Sequence, residues 1–147
     1  VKFLNSNSVE SKKKYDIFIS HSYLDKDLVK SMKNTLNFQN LSCYYDWTSD
    51  QDFLKRNLIS GYTKEVLKKR IEQSKALILV LTHNVIADGE ITSEWIKMEI
   101  EHAKSVGKKI CCLNFTDLGH QFINIEFQYE GNSISISKNG VQLLTNL

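Results

Sequence analysis

Ala76-Leu-Ile-Leu-Val-Leu81, followed by Thr82, is the longest uninterrupted apolar run in the chain. It is far short of the roughly 20 residues that a membrane-spanning helix needs. It also lacks the alternation of a strand with one wet face. A continuous apolar run of this length predicts a central strand of a parallel sheet, covered by helices on both sides.

The flanking sequence supplies the rest of such a sheet. Tyr15-Asp-Ile-Phe-Ile-Ser20 is β-branched and aromatic and stops at a stretch rich in capping side chains, Ser20 to Asp25, which predicts strand and loop. From Asp25 the period changes. Leu28, Val29, Met32 and Leu36 share one face of a helix that ends near Phe38-Gln-Asn40, with Lys26, Lys30, Lys33 and Asn34 opposite. Leu41 to Tyr45 reads as a second strand, Thr63 to Ser74 as a short helix, Ser93 to Val106 as another, and Lys109 to Phe115 as a strand. Gly119 to Tyr129 carries no clear period, Ser133 to Ser137 reads as a short edge strand, and Asn139 begins a last helix. Strand and helix alternating in this way predict a doubly wound α/β domain. Ligands of such sheets bind beyond the carboxyl ends of the strands, where strand order reverses. The loops to inspect are therefore Ser20 to Asp25, the long polar connection Asp46 to Tyr62, and Thr82 to Ser93.

Composition narrows the function. The 147 residues suit one domain, and 19 Lys+Arg against 17 Asp+Glu give a net charge of +2, too little basic excess to make nucleic acid the default partner. No membrane association is expected. Cys43, Cys111 and Cys112 are odd in number and form no Cys-x-x-Cys pair, so they read as buried small hydrophobes in a reducing cytoplasm. Residues 1–14 are polar and end in three lysines, unlike a signal peptide; they read as a disordered leader or a cloning remnant, with one domain over 15–147. The missing initiator Met suggests a piece of a longer chain.

One residue breaks the helical pattern. With Trp95 at 0° and about 100° per residue, Ile96, Ile100, Ala103 and Val106 lie on an apolar face centred at about 60°. Lys97, Glu101 and Lys104 fall at about 180–240°, as a solvated face should. Glu99 falls at about 40°, inside the apolar face. A carboxylate facing a core is costly unless it is paired, hydrogen-bonded or turned toward a polar cleft. Two readings stay open at this point: a structural Glu tied to a backbone donor or a cation, and a cleft carboxylate suited to chemistry.

The segments Tyr15-Asp-Ile-Phe-Ile-Ser-His-Ser22, Ala76 to Leu81 and Ser93-Glu-Trp-Ile-Lys-Met-Glu99, in this order, resemble the Toll/interleukin-1 receptor (TIR) domain family over about residues 15–115. The resemblance implies a flavodoxin-like, doubly wound five-stranded parallel sheet with helices on both faces. Members are either scaffolds that assemble through TIR–TIR contacts or enzymes that cleave the nicotinamide N-glycosidic bond of NAD+. The enzymes carry a glutamate four residues beyond a tryptophan in the helix after the third strand, positions that Glu99 and Trp95 match. The resemblance therefore implies that Glu99 is catalytic, and that Ser20, His21, Ser22 and Tyr23 line the substrate pocket together with Asp46, Trp47, Phe53 and Trp95. It implies NAD+ as substrate, with no resident cofactor and no metal, and nicotinamide plus ADP-ribose or a cyclic ADP-ribose isomer as products. It further implies a TIR–TIR homo-oligomer in the cytoplasm, acting in bacterial antiviral defence with an effector that responds to a cyclic product. Two departures bear on this. Ile96 stands where the family often has Cys, and the Arg-Asp-x-x-Pro-Gly signature of receptor-type loops is missing from Asp46 to Gly61, which favours a bacterial-type member.

The alternatives are a non-catalytic TIR scaffold and an N-deoxyribosyltransferase-like enzyme, which also sets a glutamate on a flavodoxin-type sheet. Ser22 and Asp25 are equally readable as caps of the first helix. Trp47 and Phe53 either cover a ring of the substrate or pack their loop. His83 reads as a plain loop residue, and His102, three residues past Glu99, as a candidate hydrogen-bond partner for it.

Overall fold

The computed structural model describes residues 14–45 and 64–147. Five strands form one parallel sheet in the order β2-β1-β3-β6-β7: β1 (Tyr15–Ser20), β2 (Cys43–Tyr45), β3 (Ser74–Leu81), β6 (Lys109–Asn114) and β7 (Ile123–Asn124). Between them lie α1 (Lys26–Phe38), α2 (residues 64–72), the small hairpin β4 (Ile86–Ala87) and β5 (Glu90–Ile91), and α3 (Glu94–Ser105). The chain ends in a second hairpin, β8 (Phe127–Glu130) with β9 (Ser133–Ile136), and α4 (Lys138–Thr145). This is the flavodoxin-like α/β fold, with strand order reversing between β1 and β3.

The apolar run of β3 explains the layering, because its alternate side chains serve two cores. Ala76, Ile78 and Val80 join Ile17 and Ile19 of β1 and Cys111 and Leu113 of β6 against Val29, Met32 and Leu36 of α1. Leu77, Leu79 and Leu81 join Phe18, Ile110 and Cys112 against Leu67 and Ile71 of α2 and Ile96, Ile100 and Ala103 of α3. Register keeps the sides apart: Phe18 stands beside Leu77, and Leu77 beside Ile110. A slip of one residue would exchange the two faces.

Two helices end the same way. After α1, Asn40 adopts φ 65°, the Leu41 amide donates to the Leu36 carbonyl, and the Asn40 amide donates to the Asn37 carbonyl. After α3, Gly107 at φ 74° does the same, with Lys108 donating to Ala103 and Gly107 to Lys104. This is the Schellman arrangement, which needs a residue tolerant of the left-handed region just past the helix.

Two expectations are corrected. Ser133 to Ser137 is not an edge strand of the main sheet. Its Ile134 and Ile136 are buried against the α1 side, and it pairs antiparallel with β8 through the two-residue turn Gly131-Asn132. Gly131 has φ 59°, a conformation available to glycine at the first turn position of a hairpin. The fifth parallel strand is instead Ile123–Asn124, inside the segment without a legible period. With two residues, it is too short to show one.

Cys111 and Cys112 are buried in β6 and Cys43 is half-buried in β2, so all three behave as packing groups. Burial pushes the thiols up, to about 11 for Cys111 and about 12 for Cys112 and Cys43. At pH 8 the native protein should therefore react with iodoacetamide at least about 100-fold more slowly than the denatured chain, since the thiolate is the nucleophile. The unfolded chain releases these protons near 9.0, the folded one only at about 11 to 12. The thiol contribution to stability is complete below pH 9 and declines as pH rises through that interval.

Candidate active site

The loops at the carboxyl ends of β1 and β3 meet α3 at the reversal point of the sheet. Ser20, the last residue of β1, lies beside Leu79 in register and points to the α2/α3 side, as does Phe18 two residues earlier. On the facing helix, the Ser93 hydroxyl caps α3 by accepting from the Ile96 amide at 3.3 Å. This start fixes the rotation of α3, and Ile96, Glu99, Ile100 and Ala103 all turn inward.

Glu99 is thus buried, with 6 % of its surface exposed, and the Ser20 hydroxyl donates to its Oε1 at 2.7 Å. That is the usual length for a hydroxyl donating to an oxygen. The inward carboxylate is held by a side chain at the carboxyl end of a strand, where ligands of this architecture bind.

His21 follows Ser20 and is also buried, with Nδ1 3.4 Å from the Ile19 carbonyl oxygen. Ser22 caps the 3-10 turn Tyr23–Asp25, accepting from the Leu24 amide at 3.2 Å. Tyr23 is half-buried, and Lys26 Nζ donates to its hydroxyl oxygen at 3.0 Å, which raises the lysine above its ordinary value. Trp95 is half-buried one turn before Glu99 and packs on the α2/α3 core, with Lys64 Nζ 5.8 Å from the centre of its rings. Ser20 and Glu99 are therefore brought into direct contact, while His21, Ser22 and Tyr23 lie in the loop that follows β1 and Trp95 lies on α3. Asp46, Trp47 and Phe53 lie outside the described residues.

Two side chains behave differently from a sequence reading, and a third escaped it. His102 does not reach Glu99; its Nε2 lies 2.8 Å from Glu72 Oε2 and ties α3 to α2. Asp25 makes no side-chain cap to α1. Its carboxylate instead accepts from Thr82 Oγ1 at 2.6 Å and Asn84 Nδ2 at 2.8 Å, joining the loops after β1 and β3. Arg70 is fully buried on α2, its Nη1 donating to Gln73 Oε1 at 2.9 Å and its guanidinium 5.6 Å from the centre of the Tyr44 ring. Sequence reading passed over Arg70, although with Leu67 at 0° and about 100° per residue it falls at about 300°, between Val66 and Leu67 on the apolar side of α2. A cavity of about 580 Å³ between the β4–β5 hairpin and residues 119–122 is lined by Leu81, Ile91, Lys97, His120 and Phe122, and includes neither Ser20 nor Glu99.

The TIR domain profile matches residues 17–129. This chain belongs to the TIR domain family. The TIR domain is 43 % identical over 136 residues to "Putative cyclic ADP-D-ribose synthase TIR2" of Cytobacillus dafuensis, covering 92 % of this chain and 35 % of that protein. It is 30 % identical over 104 residues to "Probable 3' cyclic ADP-D-ribose synthase ThsB'" of Bacillus cereus (strain MSX-D12), covering 71 % of this chain and 51 % of the relative. A third relative, "Probable 2' cyclic ADP-D-ribose synthase TcpO" of Methanobrevibacter olleyae, is 31 % identical over 99 residues, 67 % of this chain and 26 % of its own. The TIR domain thus spans about a third of the first relative and about half of the second. Among its described residues no helix is long and apolar enough to cross a membrane.

Proposed function

We propose that this TIR domain cleaves the bond between nicotinamide and ribose in NAD+, with Glu99 as the catalytic carboxylate. The observation that carries the reading is the buried Glu99 carboxylate, held at 2.7 Å by Ser20 at the carboxyl end of β1. Three relatives named as cyclic ADP-D-ribose synthases support it.

In this reaction the C1′–N1 bond breaks with its electron pair passing to the pyridinium nitrogen. Nicotinamide leaves neutral, and positive charge spreads over C1′ and O4′ of the ribose. A fixed carboxylate stabilises that charge, as in glycoside cleavage, and no general acid is needed because the leaving group starts cationic. Glu99 also accepts hydrogen bonds from the ribose hydroxyls, and the Ser20 bond holds its orientation. Water adding at C1′ and giving a proton to solvent yields ADP-ribose; a nucleophile of the adenosine half adding there instead yields a cyclic isomer. Trp95 stacks on the adenine and steers between the two outcomes, while His21, Ser22 and Tyr23 form the wall on the β1 side. NAD+ enters as substrate and no resident cofactor is invoked. We extend the reading to TIR–TIR self-association in the cytoplasm and to defence signalling through an effector that responds to a cyclic product.

The test incubates the concentrated protein with NAD+ and follows nicotinamide and adenine-containing products by chromatography and mass. Nicotinamide release is expected, and the product mass separates ADP-ribose from a form lacking one water. No NAD+ loss, together with an apparent mass several times 17.0 kDa, would favour a scaffold. Base exchange on free deoxynucleosides would favour the transferase reading. Ser20→Ala should lower kcat by about 10- to 100-fold, the worth of a hydrogen bond to a charged group, and less than any change at Glu99.

A further inference from the structure

We propose that Asp25 is a positioning residue for the Ser20–Glu99 pair, acting by tying the loop after β1 to the loop after β3; the inference rests on the NAD+-cleaving reading. The loop that begins at Ser20 is held at both ends. At its start, the Ser20 hydroxyl binds Glu99 of α3. At its end, Asp25 is 9 % exposed and both of its carboxylate oxygens are used, one by Thr82 Oγ1 at 2.6 Å and one by Asn84 Nδ2 at 2.8 Å.

The second anchor leads back to the first. Thr82 Oγ1 accepts from the Asn84 amide at 3.1 Å, and its carbonyl accepts from the Val85 amide at 3.0 Å. The Val85 carbonyl in turn accepts from the amide and the hydroxyl of Thr92 at 3.0 and 3.2 Å. Thr92 precedes Ser93, the cap that sets the rotation of α3 and hence of Glu99. A closed circuit therefore runs from Ser20 through Asp25, Thr82, Val85 and Ser93 to Glu99 and back to Ser20. It crosses the sheet where strand order reverses, and Asp25 is the side chain that closes it.

A bidentate carboxylate suits the task because both neighbours arrive as donors. An asparagine could keep the shape: its carbonyl oxygen accepts from Asn84, and its amide donates to Thr82 Oγ1, since a hydroxyl also accepts. An alanine loses both bonds and with them the tie between the two loops. Small misplacement of a catalytic group costs up to about 100-fold in rate without loss of the fold.

The experiment measures steady-state nicotinamide release and hydrogen exchange for Asp25→Ala, Asp25→Asn, Thr82→Val, Ser20→Ala and the Ser20→Ala/Asp25→Ala pair, below their melting temperatures. Asp25→Ala should lower kcat about 10- to 100-fold with KM changed less than about threefold, and Asp25→Asn should restore kcat to within about threefold of wild type. Thr82→Val should fall between them. With Ser20 already replaced, Asp25→Ala should cost less than about twofold more, because both changes act through one contact. Peptides spanning residues 18–25 should exchange faster in Asp25→Ala and at the wild-type rate in Asp25→Asn.

Wild-type kcat in Asp25→Ala, or a full additive loss in the pair, would overturn the inference. So would an asparagine variant that folds yet fails as badly as alanine. Should Asp25→Ala not fold, Thr82→Val and Asp25→Asn carry the same comparison. If wild type releases no nicotinamide, the functional reading fails separately. The exchange data then decide alone, and unchanged exchange at 18–25 would refute the tie.

Discussion

Glu99→Gln is expected to reduce nicotinamide release by about 1000-fold or more while leaving the protein folded. The substitution keeps the shape of the side chain and an oxygen that accepts the Ser20 hydroxyl, bonded now at 2.7 Å. In the proposed reaction it removes the negative charge that opposes the cationic ribose. A thousandfold loss corresponds to about 4 kcal/mol of transition-state stabilisation, the scale of a preorganised electrostatic contact inside a protein. Stability should move little. A neutral amide avoids the desolvation of a charge at a position only 6 % exposed, so the melting temperature should stay within about 5 °C of wild type, or rise. Such a combination of lost activity and retained stability marks a residue kept for chemistry rather than for folding. Chromatography of the reaction and a thermal melt on the same sample decide it. Retained nicotinamide release in a folded Glu99→Gln protein would remove the assignment.

The largest expected loss of stability comes from Phe18→Ala, at about 3–5 kcal/mol. Phe18 is fully buried in β1, stacks on Tyr44 of β2 with ring centres 5.5 Å apart, and packs in the same core as Leu67 and Ile71 of α2. Its removal opens a cavity where two strands and a helix meet, and a sheet held in register on both sides cannot close around it. The denaturation midpoint should fall sharply with an unchanged slope against denaturant, the signature of lost stability without a changed unfolding surface. Phe18→Leu, which refills most of the volume, should recover more than half of the loss. Equal midpoints for Phe18→Ala and wild type would mean that this core is not closed as described. Because Phe18 lies two residues from Ser20 on the same side of the strand, Phe18→Ala should also lower kcat in the fraction that remains folded.

The architecture was legible because its signals are local. The continuous apolar run of Ala76 to Leu81, the helical stripe of Leu28, Val29, Met32 and Leu36, and the helix-end residues Ser93 and Asn40 each act within a few neighbours, and the observed elements follow them closely. The fifth strand was not legible. Ile123–Asn124 pairs over two residues and owes its conformation to β6 beside it. The hairpin of Ser133–Ile136 was misplaced for a related reason: alternation says that one face of a strand is buried, not which partner buries it.

The candidate site divides along the same line. A helical wheel suffices to show that Glu99 faces inward, because the rotation of a capped helix is a local property. That its carboxylate meets Ser20, 79 positions away, depends on the parallel packing that sets the end of β1 against α3. The same holds for Asp25 with Thr82, where one sequence reading had Asp25 as a helix cap, and for His102, which packing pairs with Glu72 and not with Glu99. Periodicity thus determined the layers, the order of elements and the one carboxylate out of place. Only the tertiary structure decided which side chains satisfy it, because hydrogen-bond partners distant in the chain are selected by how sheet and helices pack.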